Sequence, residues 1–484
     1  MMAKDPLKPL ISHAKEYGFV FPSSEIYGSP GALYDYGPYG VELKNNIKTY
    51  WWKAMVQVHE NIVGLDSSIL MHPRVWKASG HVDAFFDFFV DNKVTGKRYR
   101  FDHLVEERIA KLEKKGKKEE AESLRQQLEK ALSEQNTEYM YEVLIKNDIR
   151  DPESPDKTEW TPVRHFRLMF ETNLGAGEDA ITAYLRPETA QGIFVNFLNV
   201  QKTARQKIPF GIAQIGKAFR NELIARQFVM RMREFEQMEM QFFIRPGEDE
   251  HWFEIWKEKR LKWYKAIGIP EEKLRIKPHD HLAHYAKAAV DIEYKFPMGF
   301  KEIEGIHART NFDLSRHQEF SGKKLQYFDS DLQESYVPHV VETSAGLDRV
   351  FLAIFSEALT IEQLGGGKQR TVLKLHPILA PIKVAVFPLV KKDGLPEKAR
   401  EIFNQLRFKY MCFYEEKDSI GRRYRRHDAI GTPFCITIDY QTLEDNSVTL
   451  RDRDTMQQER IHIHELEQRL DELLDWKTLL QKVV

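Results

Sequence analysis

The chain has 484 residues, 42% of them hydrophobic and 12% aromatic, which is enough for two or three packed domains. Lys+Arg 72 against Asp+Glu 73 leaves no net sign, so bulk charge neither indicates nor excludes nucleic acid. Two cysteines, Cys412 and Cys435, exclude a disulfide framework and a zinc site made of cysteine alone; with no leader-type segment and no apolar run long enough to cross a bilayer, a soluble, cytoplasmic protein without a membrane partner is expected.

Residues 1–37 are rich in Gly, Pro and Tyr. From Tyr39 to about Glu60, the residues Leu43, Ile47, Trp51, Ala54 and Val58 draw one helical stripe. Composition favours a core role for it over a seam between two copies. SSILMHP reads as a strand that ends at Pro73. The charge-dense stretch from His103 to Leu132 carries two stripes, Val105, Ile109, Leu112 and then Ala121, Leu124, Leu128, Leu132, separated by KKGKK with a break at Gly116. This predicts an inserted antiparallel helical hairpin, either a solvated appendage or an RNA-facing arm. DPESPDKTEWTP (151–162) returns to the host domain. FRLMFET and AITAYLRP read as strands. GAGEDA between them is no dinucleotide fingerprint, because Glu178 and Asp179 would repel a pyrophosphate. Pro187 opens a helix with Glu188 in its first turn, where a carboxylate caps a helix as readily as it serves a ligand.

Residues 210–244 predict two strands joined by a polar loop. From Arg231 to Ile244, alternation puts Arg231, Arg233, Phe235, Gln237, Glu239, Gln241 and Phe243 on one face and Met232, Glu234, Glu236, Met238, Met240 and Phe242 on the other. The first face suits a ligand with a ring, a phosphate and an ammonium, although an exposed hairpin would look similar. A helix is expected over 251–268. HDHLAHY brings His279, His281 and His284 together without fixing a metal coordination sphere. Glu302, Glu304 and Arg309 follow at strand spacing. Residues 339–359 read as a strand, a turn of Ser344, Ala345 and Gly346, and a helix buried through Val350, Ile354 and Ala358, with Arg349 in its first turn. GGGKQRT (365–371) lacks phosphate-loop framing and reads as a boundary loop. From about Leu379, strands and helices alternate. GRRYRRHDAIGTP (421–433) reads as a basic loop that either meets RNA or staples its domain to a neighbour.

Together these stretches resemble class II aminoacyl-tRNA synthetases, and among them the glycyl type of homodimeric enzyme. LYDYGPYGVELKNN with the strand ending at Pro73 looks like motif 1, and FRNE through REFEQME looks like motif 2. SAGLDR looks like motif 3; YLRPETAQGIF and the Glu302/Arg309 strand resemble glycyl-type elements. The resemblance implies an α+β fold: an antiparallel-sheet catalytic domain (1–102 and 161–375), the helical insertion (103–160) and an α/β anticodon-binding domain (376–484). It also implies that the motif 1 helix lies at a homodimer interface, and that the partners are ATP, glycine and tRNA(Gly).

For ATP, the resemblance points to Arg220, Asn221, Glu222, Met230, Arg231, Met232, Arg233, Glu234, Phe235, Glu302, Ile303, Gly346, Leu347, Asp348 and Arg349. Arg220 would hold the α-phosphate, Phe235 and Arg349 would sandwich the adenine, and Glu302 would hold Mg²⁺; Arg220, Arg349 and Glu302 are the expected catalytic residues. For glycine it points to Arg100, Glu188, Phe235, Glu236, Gln237, Met238, Glu239, Arg309, Glu342, Thr343, Ser344, Ala345 and Gly346, with acids for the ammonium and Arg309 for the carboxylate. Larger amino acids would clash, so no editing domain is expected. Some relatives carry paired cysteines before the region matching Lys97–Tyr99. DNKVTGKRY has none here, so a structural zinc is not expected. A non-catalytic tRNA-binding relative would be expected to lose Arg220, Glu222, Phe235 and Arg349, all of which are present; an enzyme for threonine or proline is disfavoured by Glu188, Glu239 and Arg309.

Overall fold

Strands that keep a polar face and an apolar face need a helix layer behind them. In the computed structural model, which describes residues 5–223, 227–279 and 287–484, seven strands meet that need. They are β1 (Ile62–Gly64), β2 (Phe210–Phe219), β3 (Glu234–Ile244), β4 (Leu274–Pro278), β5 (Ala288–Phe296), β6 (Gly299–Thr310) and β7 (His339–Gly346), in the spatial order β4-β5-β6-β7-β3-β2-β1. Pairing is antiparallel from β4 across to β3, and β1 joins β2 in parallel at the edge.

The apolar face rests on α1 (Pro38–Trp52), α3 (Asp249–Ala266) and α5 (Leu347–Ala358). Met238, Met240 and Phe242 share one core there with Trp51, Trp256, Trp263, Val350 and Phe351. The opposite face is dry only at one end, where α2 (Ala190–Thr203) lays Phe194 and Phe197 on Phe210 and Phe243. The rest of that face is open to polar chemistry.

α1 stops earlier than its stripe suggests and winds out through a π-helical turn, Lys53–Gln57. Leu43, Ile47, Trp51 and Ala54 lie in this chain's own core, and Tyr50 stacks on Trp263 at 4.7 Å. Gly40 is required where α1 crosses the chain: a Cβ there would come 1.8 Å from the Phe19 carbonyl oxygen. Gly40→Ala is therefore expected to cost at least the about 1–3 kcal/mol of overpacking, read as a lowered midpoint in thermal unfolding.

Four sequence expectations need correction. SSILMHP is not a strand; the edge strand is Ile62–Gly64, and Pro73 instead begins a helix, Pro73–Ala78, capped by His72 Nδ1 accepting from Arg74 N. Ser344, Ala345 and Gly346 form no turn but the end of β7, which runs straight into α5. GGGKQRT closes a hairpin between β8 (Leu359–Gln363) and β9 (Gln369–Leu373), with Gly365, Gly366 and Gly367 all at positive φ. GRRYRRHDAI is a helix, α6 (Ile420–Ile430), rather than a loop.

Its arginines act mainly as staples. Arg423 donates to the carbonyls of Pro388, Glu415 and Leu389, and Asp428 at the end of α6 accepts from Arg370 on β9 and from Arg451 at 2.8–3.0 Å. Arg422 remains exposed. The sheet of this C-terminal part is mixed: Cys412–Tyr414, Val384–Pro388 and Phe434–Ile438 run parallel, and Ser447–Asp452 and Gln458–His462 continue it antiparallel.

A second compact unit comprises Leu70–Pro187 and Phe219–Arg226, the remainder forming the first. Its longer helices are Phe101–Lys114, Lys118–Glu134 and a third that the sequence did not announce, Thr137–Lys146. Gly116 makes the break at φ +75°. Ala131, not Leu132, completes the second stripe, and the three helices share a core with Phe88, Val90 and Trp160. DNKVTGKRY folds as a turn around Asp151, which accepts from Asn92, Thr95 and Tyr99.

Candidate active site

The open face of the sheet carries a closed ring of hydrogen bonds. Glu188 stands just before α2, not inside its first turn, and accepts from Gln191 Nε2 at 2.8 Å. The same amide nitrogen donates to Asp313 at 3.0 Å, and Asp313 receives Arg309 Nε and Nη2 at 2.8 and 2.9 Å. Arg309 Nη1 reaches Glu342 Oε2 at 3.1 Å, and Gln241 Nε2 bridges Glu342 and Glu239 at 2.6 and 2.7 Å. The Thr189 hydroxyl donates to Glu239, which brings the circuit back beside Glu188. Gln237 joins at the side, accepting from Thr189 N at 3.1 Å and donating to Ser344 Oγ at 3.2 Å.

The ring thus holds four carboxylates and one guanidinium. Burial, followed by Glu342 and Glu188, pushes the Glu239 carboxyl well above its ordinary range. Burial also opposes ionisation of Glu342, but Arg309 and His307 outweigh it and hold that carboxyl low. Protonation is thus favoured at Glu239 and disfavoured at its neighbour, in a ring with more carboxylates than cations. An added cation with several donors is the natural occupant.

Toward α5 the face changes character. Phe235 is half-buried at the start of β3. Arg349, in the first turn of α5, pairs with Glu302 at 2.9 Å and donates through Nε to the Met230 carbonyl at 3.2 Å. Glu302 reaches this face because β6 is bulged: Glu293 pairs with Glu302, but Ile292 pairs with Glu304. Glu304 consequently turns the other way, to Arg260 and Tyr264. Arg233 Nη1 lies 3.1 Å from the Pro30 carbonyl, and Arg231 is half-buried just ahead of β3.

Several expected ligand residues turn away from the face. Glu236 pairs with Lys44 at 2.6 Å behind the sheet. Asp348 accepts from Tyr36, Lys44 and the Glu236 amide, fastening α1, α5 and β3 together. Glu234 pairs with Lys217. Met230, Met232, Met238, Ile303, Ala345 and Leu347 belong to the hydrophobic core, and Thr343 is fully buried. For these residues strand alternation leaves only the main chain to border the open face; Gly346, across from Gln237 in β7, offers nothing else. Arg309 does not stand open for a carboxylate, since each of its nitrogens already donates to an acid.

In the second unit, Arg220 Nε donates to the Pro187 carbonyl at 3.1 Å, its guanidinium lies 5.4 Å over the Phe85 ring, Asn221 N donates to Leu168 O, and Glu222 N to Arg220 O. Arg100 is held by Asp102 at 2.5 and 3.0 Å and by Asp87 at 3.2 Å. Sequence reasoning assigned no role to Gln191, Asp313, Thr189, Gln241 and His307. Asp313 alone gave a signal, at four residues from Arg309. His281 and His284 lie outside the described residues.

A long antiparallel sheet with a polar face, a Phe at the start of one strand and an Arg at the head of the helix after another, defines the core of a class II aminoacyl-tRNA synthetase. The family model described as tRNA synthetase class II core domain (G, H, P, S and T) matches residues 176–358. Those described as anticodon binding domain and glycyl-tRNA synthetase insertion domain 1 match 383–473 and 87–123. A Giardia lamblia prolyl-tRNA synthetase in complex with prolyl-adenylate shares the fold, with TM-score 0.60 and 14% identity over 99% of this chain and 81% of that one. The glycine–tRNA ligase of Chlorobaculum tepidum is 52% identical over 94% of this chain and 97% of its own, and that of Treponema denticola 49% over 96% and 97%. The chain belongs to the glycine–tRNA ligase family.

Proposed function

We infer that the chain attaches glycine to tRNA(Gly) at the expense of ATP. The glycine carboxylate attacks the α-phosphate and pyrophosphate leaves. A ribose hydroxyl at the tRNA 3′ end then attacks the carbonyl of the glycyl-adenylate, and AMP leaves. The observation that carries this reading is the acidic ring. It matches an ammonium, and its buried Thr189 and Gln241, with the half-buried Gln237, leave little space for a side chain on the substrate.

Glu188, Glu239 and Glu342, with Ser344, are the acids and hydroxyl for the ammonium; Arg309, held by Asp313 and Glu342, sets their charge. Phe235 and Arg349 bracket the adenine, Arg231 and Arg233 serve the outer phosphates, and Arg220 holds the α-phosphate. Glu222 takes the adenine amino group, and Arg100 is a further substrate contact. Glu302, a half-exposed carboxylate on the open face, suits Mg²⁺, a hard ion that takes carboxylate and phosphate oxygens. That ion would neutralise phosphate charge; orientation and the fixed cations of the chain do the rest. Residues 1–102 and 161–375 form the catalytic domain of a cytoplasmic homodimer, 103–160 an insertion that meets tRNA, and 376–484 the part that reads the anticodon.

Amino-acid-dependent ATP–pyrophosphate exchange tests this reading. Exchange is expected with glycine and not with the other nineteen amino acids; stronger exchange with any other amino acid, or none with glycine, would sink it. A second expectation follows from Glu239. The empty ring pushes its carboxyl toward the protonated form, so an arriving ammonium favours loss of that proton, and glycine should bind more tightly as pH rises. Calorimetry in two buffers of different ionisation heat should register proton release on binding, and Glu239→Gln should abolish that release.

A further inference from the structure

Beyond the acidic ring, the same open face carries a second polar group on β4, β5 and β6. His279 directly follows β4, anchored by its N–H to the Ala289 carbonyl at 3.1 Å. Its Nε2 lies 2.8 Å from Asp291 Oδ1 on β5. His307 on β6 stands edge-on to it, ring centroids 5.6 Å apart, and the ligand atoms of the three residues lie within 4.8 Å of one another. Their side chains are 31%, 16% and 19% exposed, shielded yet within reach of an ion. His307 Nδ1 is hydrogen-bonded to Glu342 Oε1 at 2.9 Å, which leaves Nε2 as the nitrogen for an outside ligand. Gly305 makes room for the ring, since a Cβ there would meet His307 Cε1 at 2.7 Å.

We propose that His279, Asp291 and His307 form a binding site for a divalent transition-metal ion of the zinc or cobalt kind. Two imidazoles and a carboxylate are the donor set such ions prefer, whereas Mg²⁺ seeks oxygen. Metal–ligand bonds of about 2.0–2.2 Å put tetrahedral donors about 3.3 Å apart, so the widest spacing closes by about 1.5 Å or less while the His279–Asp291 contact opens by about 0.5 Å. Three protein donors leave a fourth position for water. Glu342 supplies the outer carboxylate that fixes tautomer and ring orientation, the usual partner of a metal-bound imidazole. The site therefore shares Glu342 with the acidic ring, and metal loading would act on the ring through His307. Its existence does not rest on the proposed activity.

The test uses the full chain, stripped with a chelator and dialysed. Titration with Co²⁺ is expected to give one bound ion per chain with visible ligand-field absorption, displaced by Zn²⁺ and untouched by excess Mg²⁺. His307→Asn keeps a donor for Glu342 and removes Nε2; Asp291→Asn keeps the shape and removes the charge. Each is expected to weaken Co²⁺ binding by more than about 100-fold, above the effect of losing an outer partner alone. Gly305→Ala, which displaces the ring without touching a ligand, should weaken it as well, so the assignment survives a folding defect in any one variant. Absence of the cobalt spectrum in the unaltered protein, or binding unchanged in the folded variants, overturns the proposal.

Discussion

Arg220→Ala is expected to lower glycine-dependent pyrophosphate exchange by about 10²–10³-fold, the loss typical when one fixed donor to developing charge is removed. The size of the effect comes from fixation. The Nε–H is tied to the Pro187 carbonyl and the guanidinium rests over Phe85, so the cation is held in place beforehand. A structural role would instead appear as lowered stability, to which the bond to the Pro187 carbonyl alone contributes about 0.5–1.5 kcal/mol. Exchange kinetics and thermal unfolding of the same preparation separate the two readings. Exchange at the unaltered rate would remove Arg220 from the chemistry, and loss of exchange together with unfolding would make it structural.

Arg260→Ala should be the most damaging change behind the sheet. Arg260 Nε and Nη2 grip Glu304 at 2.6 and 3.1 Å, Tyr264 adds a third hydrogen bond at 2.7 Å, and the guanidinium lies 4.7 Å over Trp263. Glu304 is 1% exposed. Removing its partner strands a buried charge at a cost of about 3–5 kcal/mol. Replacing both ends, Arg260→Met with Glu304→Met, should recover most of that loss, short of about 1 kcal/mol for the orphaned Tyr264 hydroxyl. Urea midpoints for the single and double variants measure the difference. A single variant within about 1 kcal/mol of the unaltered chain would mean that Glu304 escapes burial by protonation or by water.

The sheet was legible where period two held. Phe235, Gln237, Glu239 and Gln241 face one side and Met238, Met240 and Phe242 the other, as alternation requires. Legibility failed where long-range partners replaced local pattern. α6 has no apolar stripe, because ahead of its last two residues, Ala429 and Ile430, its buried positions are Arg423, His427 and Asp428, whose partners lie elsewhere in the chain. Glu236 and Asp348 looked like ligand residues in motif sequences, yet Lys44 claims both. Within the acidic ring the three glutamates are expected from sequence and Gln241 shares their face by alternation, but Asp313 carries no assigned role, and Thr189 and Gln191, which join them, are neutral residues without a spacing signal.

Glu302 and Glu304 also show how one extra residue can separate two tasks. With Ile303 as the inserted residue, the two glutamates serve opposite sides of the same strand, one beside Arg349 and one inside the core. A strand that kept all three residues but lost the bulge would put both glutamates on one face and force a choice. Either the buried guanidinium of Arg260 loses its counter-ion, or the open face loses its carboxylate. What this point of the chain must keep is therefore the irregular pairing itself, a demand that the Gly365–Gly367 turn does not make.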